Sequence, residues 1–418
     1  MRITLILLIL SLSIPLFGQS KYVPRIPDAV IKEMIEKNTA EKDKNQAATD
    51  AIRAQQKADK KKKKDNREKL VAVTEGIVKP GTPASFNAPF HFDPIPQYLT
   101  GTCWCFSTTS FFESEIHRLS GQKVKLSEIF TVYYEYLAKV GRYIDERGDS
   151  FMGEGSESNA VTRIWKKYGI VPAEAYEGIV SDDKRHNHEM MFDEIVAYLK
   201  FCKKQNFWEK KEILKVISLI LDRYLGQPPA EFKYRGKTYT PASFLASLPL
   251  KLEDYYSVMS TTSLPFFQKG KFDVPDNWWM NEDYYNVPLK DFYTIINRAL
   301  DNGQTLVIGG DVSEPGYYGE EDICFVPEFD IPSAYINQDS REFRFYNRTT
   351  QDDHGIHLLA RKTVGDDVWF LIKDSARSAR KGKYKGYLFY HSDYVKLKML
   401  TITVHKEAIA PYLAKFAD

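Results

Sequence analysis

The chain has 418 residues, 43% hydrophobic and 14% aromatic, enough to fill one large core or two ordinary ones, which excludes bulk disorder. Lys and Arg number 58 against 56 Asp and Glu, a net charge of +2, so no global field marks a specific nucleic-acid binder. Four cysteines are too few for a disulfide-stapled scaffold.

Residues 1–20 read as a signal peptide. Arg2 is a short basic start, Ile3 to Phe17 is an uncharged apolar run of 15 residues, and Gly18 and Ser20 are small enough for a cleavage site. The run is short for a spanning helix, and no later stretch has 18 uncharged apolar residues, so no transmembrane span is expected once the signal is removed. The expectation is an exported protein, periplasmic or secreted, in a bacterial cell. Residues 21–70 hold 15 basic and 9 acidic residues, Lys60 to Lys64 among them. They predict a flexible or transiently helical basic spacer or propeptide, a solvated tether in preference to a nucleic-acid or membrane-surface arm. With that net +6 and Arg2 set aside, residues 71–418 carry about −5.

The compact part starts near Leu70. Residues 103–300 are mostly helix-like, with long runs at Asp193 to Lys204 and Glu209 to Tyr224. Residues 304–405 are strand-like at Thr305 to Ile308, Phe343 to Tyr346, Ile356 to Ala360, Val368 to Ile372, Tyr387 to Tyr390 and Met399 to Val404. Helices followed by strands predict an α+β protein of two facing lobes. The expected organisation is a main domain over 71–408, a helical insertion at about 180–300, and a tail at 409–418.

One cysteine has a specific setting. In Gln97-Tyr-Leu-Thr-Gly-Thr-Cys103-Trp104-Cys105-Phe106-Ser107, Thr102 is a suitable N-cap and an amphipathic helix follows. Cys105, Phe112, Ile116 and Leu119 share one stripe and should be core. Cys103 stands about 200° from Cys105 around the helix. A thiol on the first turn meets unpaired N–H groups and the positive end of the helix dipole, which favour the nucleophilic thiolate. A positioned histidine completes such a nucleophile. The plainer reading is a small buried residue.

The spacing Gln-x5-Cys-Trp-x-Phe-Ser resembles the active-site signature of papain-like cysteine peptidases. Ser156 to Gly178 and Tyr224-Leu-Gly-Gln-Pro-Pro-Ala-Glu-Phe232 narrow the resemblance to the bleomycin hydrolase/aminopeptidase C branch, over roughly residues 71–405. The resemblance implies a papain-like two-lobed fold, with Cys103 opening the long central helix and a β-rich lobe carrying the histidine. It implies peptide substrates, aminopeptidase-like cleavage in preference to endopeptidase cleavage, and no metal or organic cofactor. It casts Cys103 as nucleophile and Gln97 as oxyanion-hole donor. Gly153 and Gly155 correspond to a glycine-rich stretch that lines the substrate groove. The inserted helical region builds oligomers in relatives, so a homo-oligomer is consistent with it. The signal peptide departs from the pattern, because well-known members of the branch are cytosolic.

In the same branch the catalytic histidine opens a strand, which His354-Gly355-Ile356 fits better than His357 does. Ile356 to Ala360 and Val368 to Ile372 read as a hairpin whose loop is centred on residues 364–366, placing His354 opposite residues 374–378. Asp374 is then the third member. The family pattern Asn-Ser-Trp-Gly is Asp374-Ser375-Ala376-Arg377 here. A carboxylate orients imidazole as asparagine does and also favours the imidazolium. Loss of the tryptophan is expected to leave the pair wetter and weaker.

Two rival classes follow from the same residues. Cys103-x-Cys105 with His354-x-x-His357 suggests zinc ligands, but each pair points apart on its helix or strand. A cleft that holds peptides without cutting them is the other, motivated by Asp374 and Ala376. Cys202 and Cys324 are candidates for a disulfide in an exported protein.

Overall fold

The computed structural model describes residues 20–66 and 72–416. The expected signal peptide lies outside the described residues, apart from Ser20. The chain divides into two compact units, Met1–Lys69 and Leu70–Asp418.

Among its described residues the first unit has one helix, α1 (Ala29–Asp65), with no buried residue. Asp28 caps it by accepting the N–H groups of Val30 and Ile31, and Lys62 to Lys64 lie at the C-terminal end, where the dipole favours cations. The segment read as a flexible or transiently helical spacer is therefore a helix of 37 residues. Its apolar residues, Val30, Ile31, Met34 and Ile35 among them, are exposed, so local capping and charge pairs at i,i+4 such as Glu33–Lys37 are what favour it.

The second unit is α+β. Its helical part comprises α2 (Cys103–Ser120), α3 (Glu128–Asp145), α4 (Ser158–Tyr168), α5 (Glu189–Lys204), α6 (Lys210–Leu225) and α7 (Pro241–Ser247), with a hairpin of β1 (Phe232–Tyr234) and β2 (Lys237–Tyr239). The chain then enters β3 (Tyr255–Met259), β4 (Lys269–Gly270), β5 (Tyr284–Asn286), α8 (Leu289–Asp301), β6 (Leu306–Gly310), β7 (Tyr317–Tyr318) and β8 (Ile323–Cys324). It ends with α9 (Gln338–Tyr346), β9 (His354–Val364), β10 (Asp367–Lys373), β11 (Tyr387–His391), α10 (Ser392–Lys398), β12 (Met399–His405) and α11 (Lys406–Leu413).

Ten strands form one sheet in the order β4-β5-β3-β12-β6-β9-β10-β11-β8-β7. One core is built from α2 to α6 around Phe112, Phe130, Trp165 and Ile217. A second lies on the sheet, where α8, α10 and α11 cover Ile308, Ile356, Phe370 and Ile402. These are the two lobes, and α2 lies against β9 and β6 between them.

Several expectations need correction. The span 180–300 is not helical throughout, since β3, β4 and β5 join the main sheet. They are too short to show a strand period. Phe343 to Tyr346 is the end of helix α9, because Asn337 and Ser340 form a capping box and the buried Arg341 anchors the helix by donating to the carbonyls of Ser260, Lys396 and Leu400. Leu119 is exposed at the end of α2. No disulfide joins Cys202 to Cys324, which are buried in the helical and the sheet cores respectively.

Candidate functional site

Cys103 is the first residue of α2, and Thr102 occupies the N-cap position. The Thr102 hydroxyl pairs with that of Thr100 at 2.6 Å and does not cap the helix. The first-turn amides therefore receive no side-chain acceptor and remain suited to a developing negative charge. Cys105 is fully buried; burial pushes its thiol well above the ordinary value, and the Glu128 charge adds to that. Only Cys103 of the two is placed to react.

The hairpin forms as its pattern predicts. Val364 pairs with Asp367 at the turn, and Lys373 pairs with His357 beyond an irregularity between Leu371 and Ile372. Asp374 follows directly, and its Oδ1 accepts from Nε2 of His354 at 2.7 Å. Burial alone would push the His354 ring down. The charges of the Asp374 carboxylate, hydrogen-bonded to the ring, and of the Cys103 sulfur outweigh burial and hold it well above its ordinary value. With Nε2 committed to Asp374, Nδ1 is the nitrogen left to exchange a proton with sulfur.

Gly355 makes that approach feasible. A Cβ there would lie 3.2 Å from Ser107 Oγ and 3.3 Å from Trp104 Cα, so glycine lets β9 settle on the first turn of α2 without crowding. His357 points the other way. Its Nδ1 meets Ser110 Oγ at 2.8 Å, and burial, with Lys373 nearby, pushes it well below its ordinary value. Lys373 donates to the same hydroxyl at 2.8 Å and is pushed down to about 8, chiefly by burial.

The pair is not wet, contrary to expectation. Asp374 is 2% exposed and His354 8%. Burial thus keeps the pair dry without the tryptophan. Asp374 Oδ1 also accepts the N–H of Ala376 at 2.8 Å, while Oδ2 is buried without a partner.

Gln97 is buried and held at three points. Its N–H donates to Ser375 O at 3.0 Å, its Oε1 accepts from Ser375 Oγ at 2.7 Å, and its Nε2 donates to Thr100 O at 2.7 Å. The second Nε2 hydrogen is unused by these contacts. The carbonyls of Gly153 and Gly155 both accept from the buried Lys139, and Asp276 closes over Gly155. Gly101 N–H donates to Glu154 Oε2 at 2.8 Å, tying this loop to the start of α2.

Beside Cys103 and His354 lies a small cavity walled by Ser156–Ser158, Asp352–Gly355 and Thr401–Thr403. Glu157, Asp276 and Asp352 line it and were not singled out by sequence reasoning. Asp352 was visible as a neighbour of His354 and Glu157 as a neighbour of Gly155, whereas nothing in the sequence links Asp276 to the site. The described residues of the tail, up to Phe416, do not line this cavity, and Phe416 packs on Phe267 and Tyr285.

No family model and no curated relative matches the chain. Among solved structures, PepW from Lactobacillus rhamnosis HN001 is similar with a TM-score of 0.64 at 17% identity, covering 90% of this chain and 93% of that one. A mite-allergen structure (Blo t 1 and Der p 1) has a TM-score of 0.39 at 12% identity, covering 81% and 74%. Together with the α+β architecture described above, the PepW likeness shows the fold: a helical lobe and a β-rich lobe in the papain-like arrangement.

Proposed function

We propose that the protein is an exported thiol peptidase in which Cys103 and His354 act as a thiolate–imidazolium pair. The observation that carries this is the juxtaposition of a helix-opening cysteine with a buried histidine whose far nitrogen is held by Asp374. Cys103 attacks the peptide carbonyl, forming a C–S bond. His354 gives its Nδ1 proton to the leaving amine as the C–N bond breaks. Water then gives a proton to His354 and hydrolyses the thioester, and the sulfur leaves as thiolate. Gln97 Nε2 and the Cys103 N–H are the donors proposed for the oxyanion. Asp374 orients the ring and stabilises its charged form. Every step uses groups of this chain.

Aminopeptidase-like cleavage is the form proposed, and it rests on the sequence resemblance alone. Export rests on the sequence of residues 1–20. The test is hydrolysis of fluorogenic peptides with free and blocked N-termini by the reduced protein and by Cys103→Ala. Cleavage abolished in the variant establishes the thiol mechanism, and the free-to-blocked ratio separates aminopeptidase from endopeptidase. Folded, reduced protein that cleaves no peptide would move the reading to a cleft that binds without cutting.

A further inference from the structure

We infer that the cavity beside Cys103 is a specificity site for a positively charged group on the acyl side of the substrate, an ammonium or a guanidinium, held by Glu157 and Asp352. The inference rests on the peptidase reading of Cys103 and deepens it.

The lining is one-sided in charge. Glu157, Asp276, Asp352 and Asp353 all contribute, and none of the described lining residues is Lys or Arg. Asp353 is engaged, accepting the N–H of Val312 at 2.9 Å. Glu157 is different. It is 4% exposed and lies against Asp352 and Tyr284, yet its Oε1 has no hydrogen-bond partner. The hydroxyl of Tyr284, a residue 1% exposed, has none either. A buried carboxylate oxygen without a donor, on a residue that lines a cavity, is costly, and a cationic ligand supplies both the donor and the countercharge. Lys139, whose charge acts on Asp276, is committed to the carbonyls of Gly153 and Gly155.

The electrostatics agree. Burial pushes Glu157 up to about 7, and the charge of Asp276 adds to it. Burial pushes Asp352 well above its ordinary value, with Glu157, Asp276 and Cys103 adding. The empty cavity thus favours protonated acids, and a bound cation reverses that preference and releases a proton. The space for the ligand is kept by Gly309, where a Cβ would lie 2.8 Å from Thr401 Oγ1 and 3.3 Å from Asp352 Oδ1.

Binding can be read apart from turnover in Cys103→Ala. Calorimetry would compare peptides carrying arginine with the same peptides carrying neutral citrulline, each with a free and an acetylated N-terminus. The expected result is binding tighter by about 10- to 100-fold for the charged member, lost when Glu157→Gln or Asp352→Asn is added. Arginine favoured over citrulline in acetylated peptides assigns the cavity to a side chain. Free favoured over acetylated, with arginine and citrulline equal, assigns it to the terminal ammonium. Equal binding of all four, no binding of any, or a preference that survives both variants overturns the inference. A charge preference in Cys103→Ala with no turnover by the unsubstituted protein sinks the peptidase reading and leaves the cation site standing.

Discussion

Oδ1 of Asp374 stands 2.7 Å from Nε2 of His354, in a pair that is almost wholly out of water. The carboxylate helps hold the imidazole well above its ordinary value against the opposing effect of burial. The imidazolium is therefore retained to higher pH than in a free histidine. Asp374→Asn removes the charge and keeps an acceptor, so the alkaline limb of the kcat/KM profile should move to lower pH. The stability of the pair follows the same sign. It is fully present below the ordinary histidine value and lost as pH rises through the raised one. An alkaline limb that stays in place would show that Asp374 only orients the ring.

Gln97 couples the two sides of the site, since Ser375, one residue after Asp374, both accepts from its N–H and donates to its Oε1. Gln97→Ala should lower kcat about 10²–10³-fold with little change in KM, as loss of an oxyanion donor does. It should also cost about 1–3 kcal/mol in denaturant unfolding, because the Ser375 hydroxyl loses its acceptor. An unchanged kcat would remove Gln97 from the oxyanion hole.

Gly355→Ala places a Cβ against Ser107 and Trp104 where β9 meets α2. Overpacking of this kind costs about 1–3 kcal/mol. Because the strain separates His354 from Cys103, kcat should fall further than the melting temperature suggests. Full activity in Gly355→Ala would contradict the close approach of strand and helix.

Glu157 carries a pH signature of its own. Its folded value of about 7 lies above the unfolded 4.5, raised by burial first and by Asp276 second. The folded state then binds the proton where the unfolded state has released it. Stability should fall as pH rises from about 4.5 to 7, by at most about 3 kcal/mol. Glu157→Gln should flatten that fall and raise the melting temperature at pH 8. Superimposable stability profiles for the two proteins would contradict this.

Local patterns made part of the site legible. The N-terminal position of Cys103 follows from helical spacing, and the meeting of His354 with Asp374 follows from a two-residue strand period and a short turn. The unlike fates of His354 and His357 follow from strand parity. The dryness of the pair did not follow, because burial is set by the packing of the whole sheet and not by the residues next to Asp374 in sequence. The acidic cavity was hidden for the same reason. Glu157, Asp276 and Asp352 lie in three separate segments, and only the packing of sheet on helix gathers them. In α9 the Asn337–Ser340 capping box overrode the strand preference of Phe343 to Tyr346.

The most direct measurement is acid-quenched mass spectrometry of the reduced protein mixed with a slowly hydrolysed peptide ester. The expected result is one acyl group per chain, mapped to Cys103 and absent in both Cys103→Ala and His354→Ala. Cys105 and Cys202 should stay unlabelled, since burial raises both thiols. No adduct on folded protein, or an adduct that persists in Cys103→Ala, would contradict a nucleophilic Cys103 activated by His354.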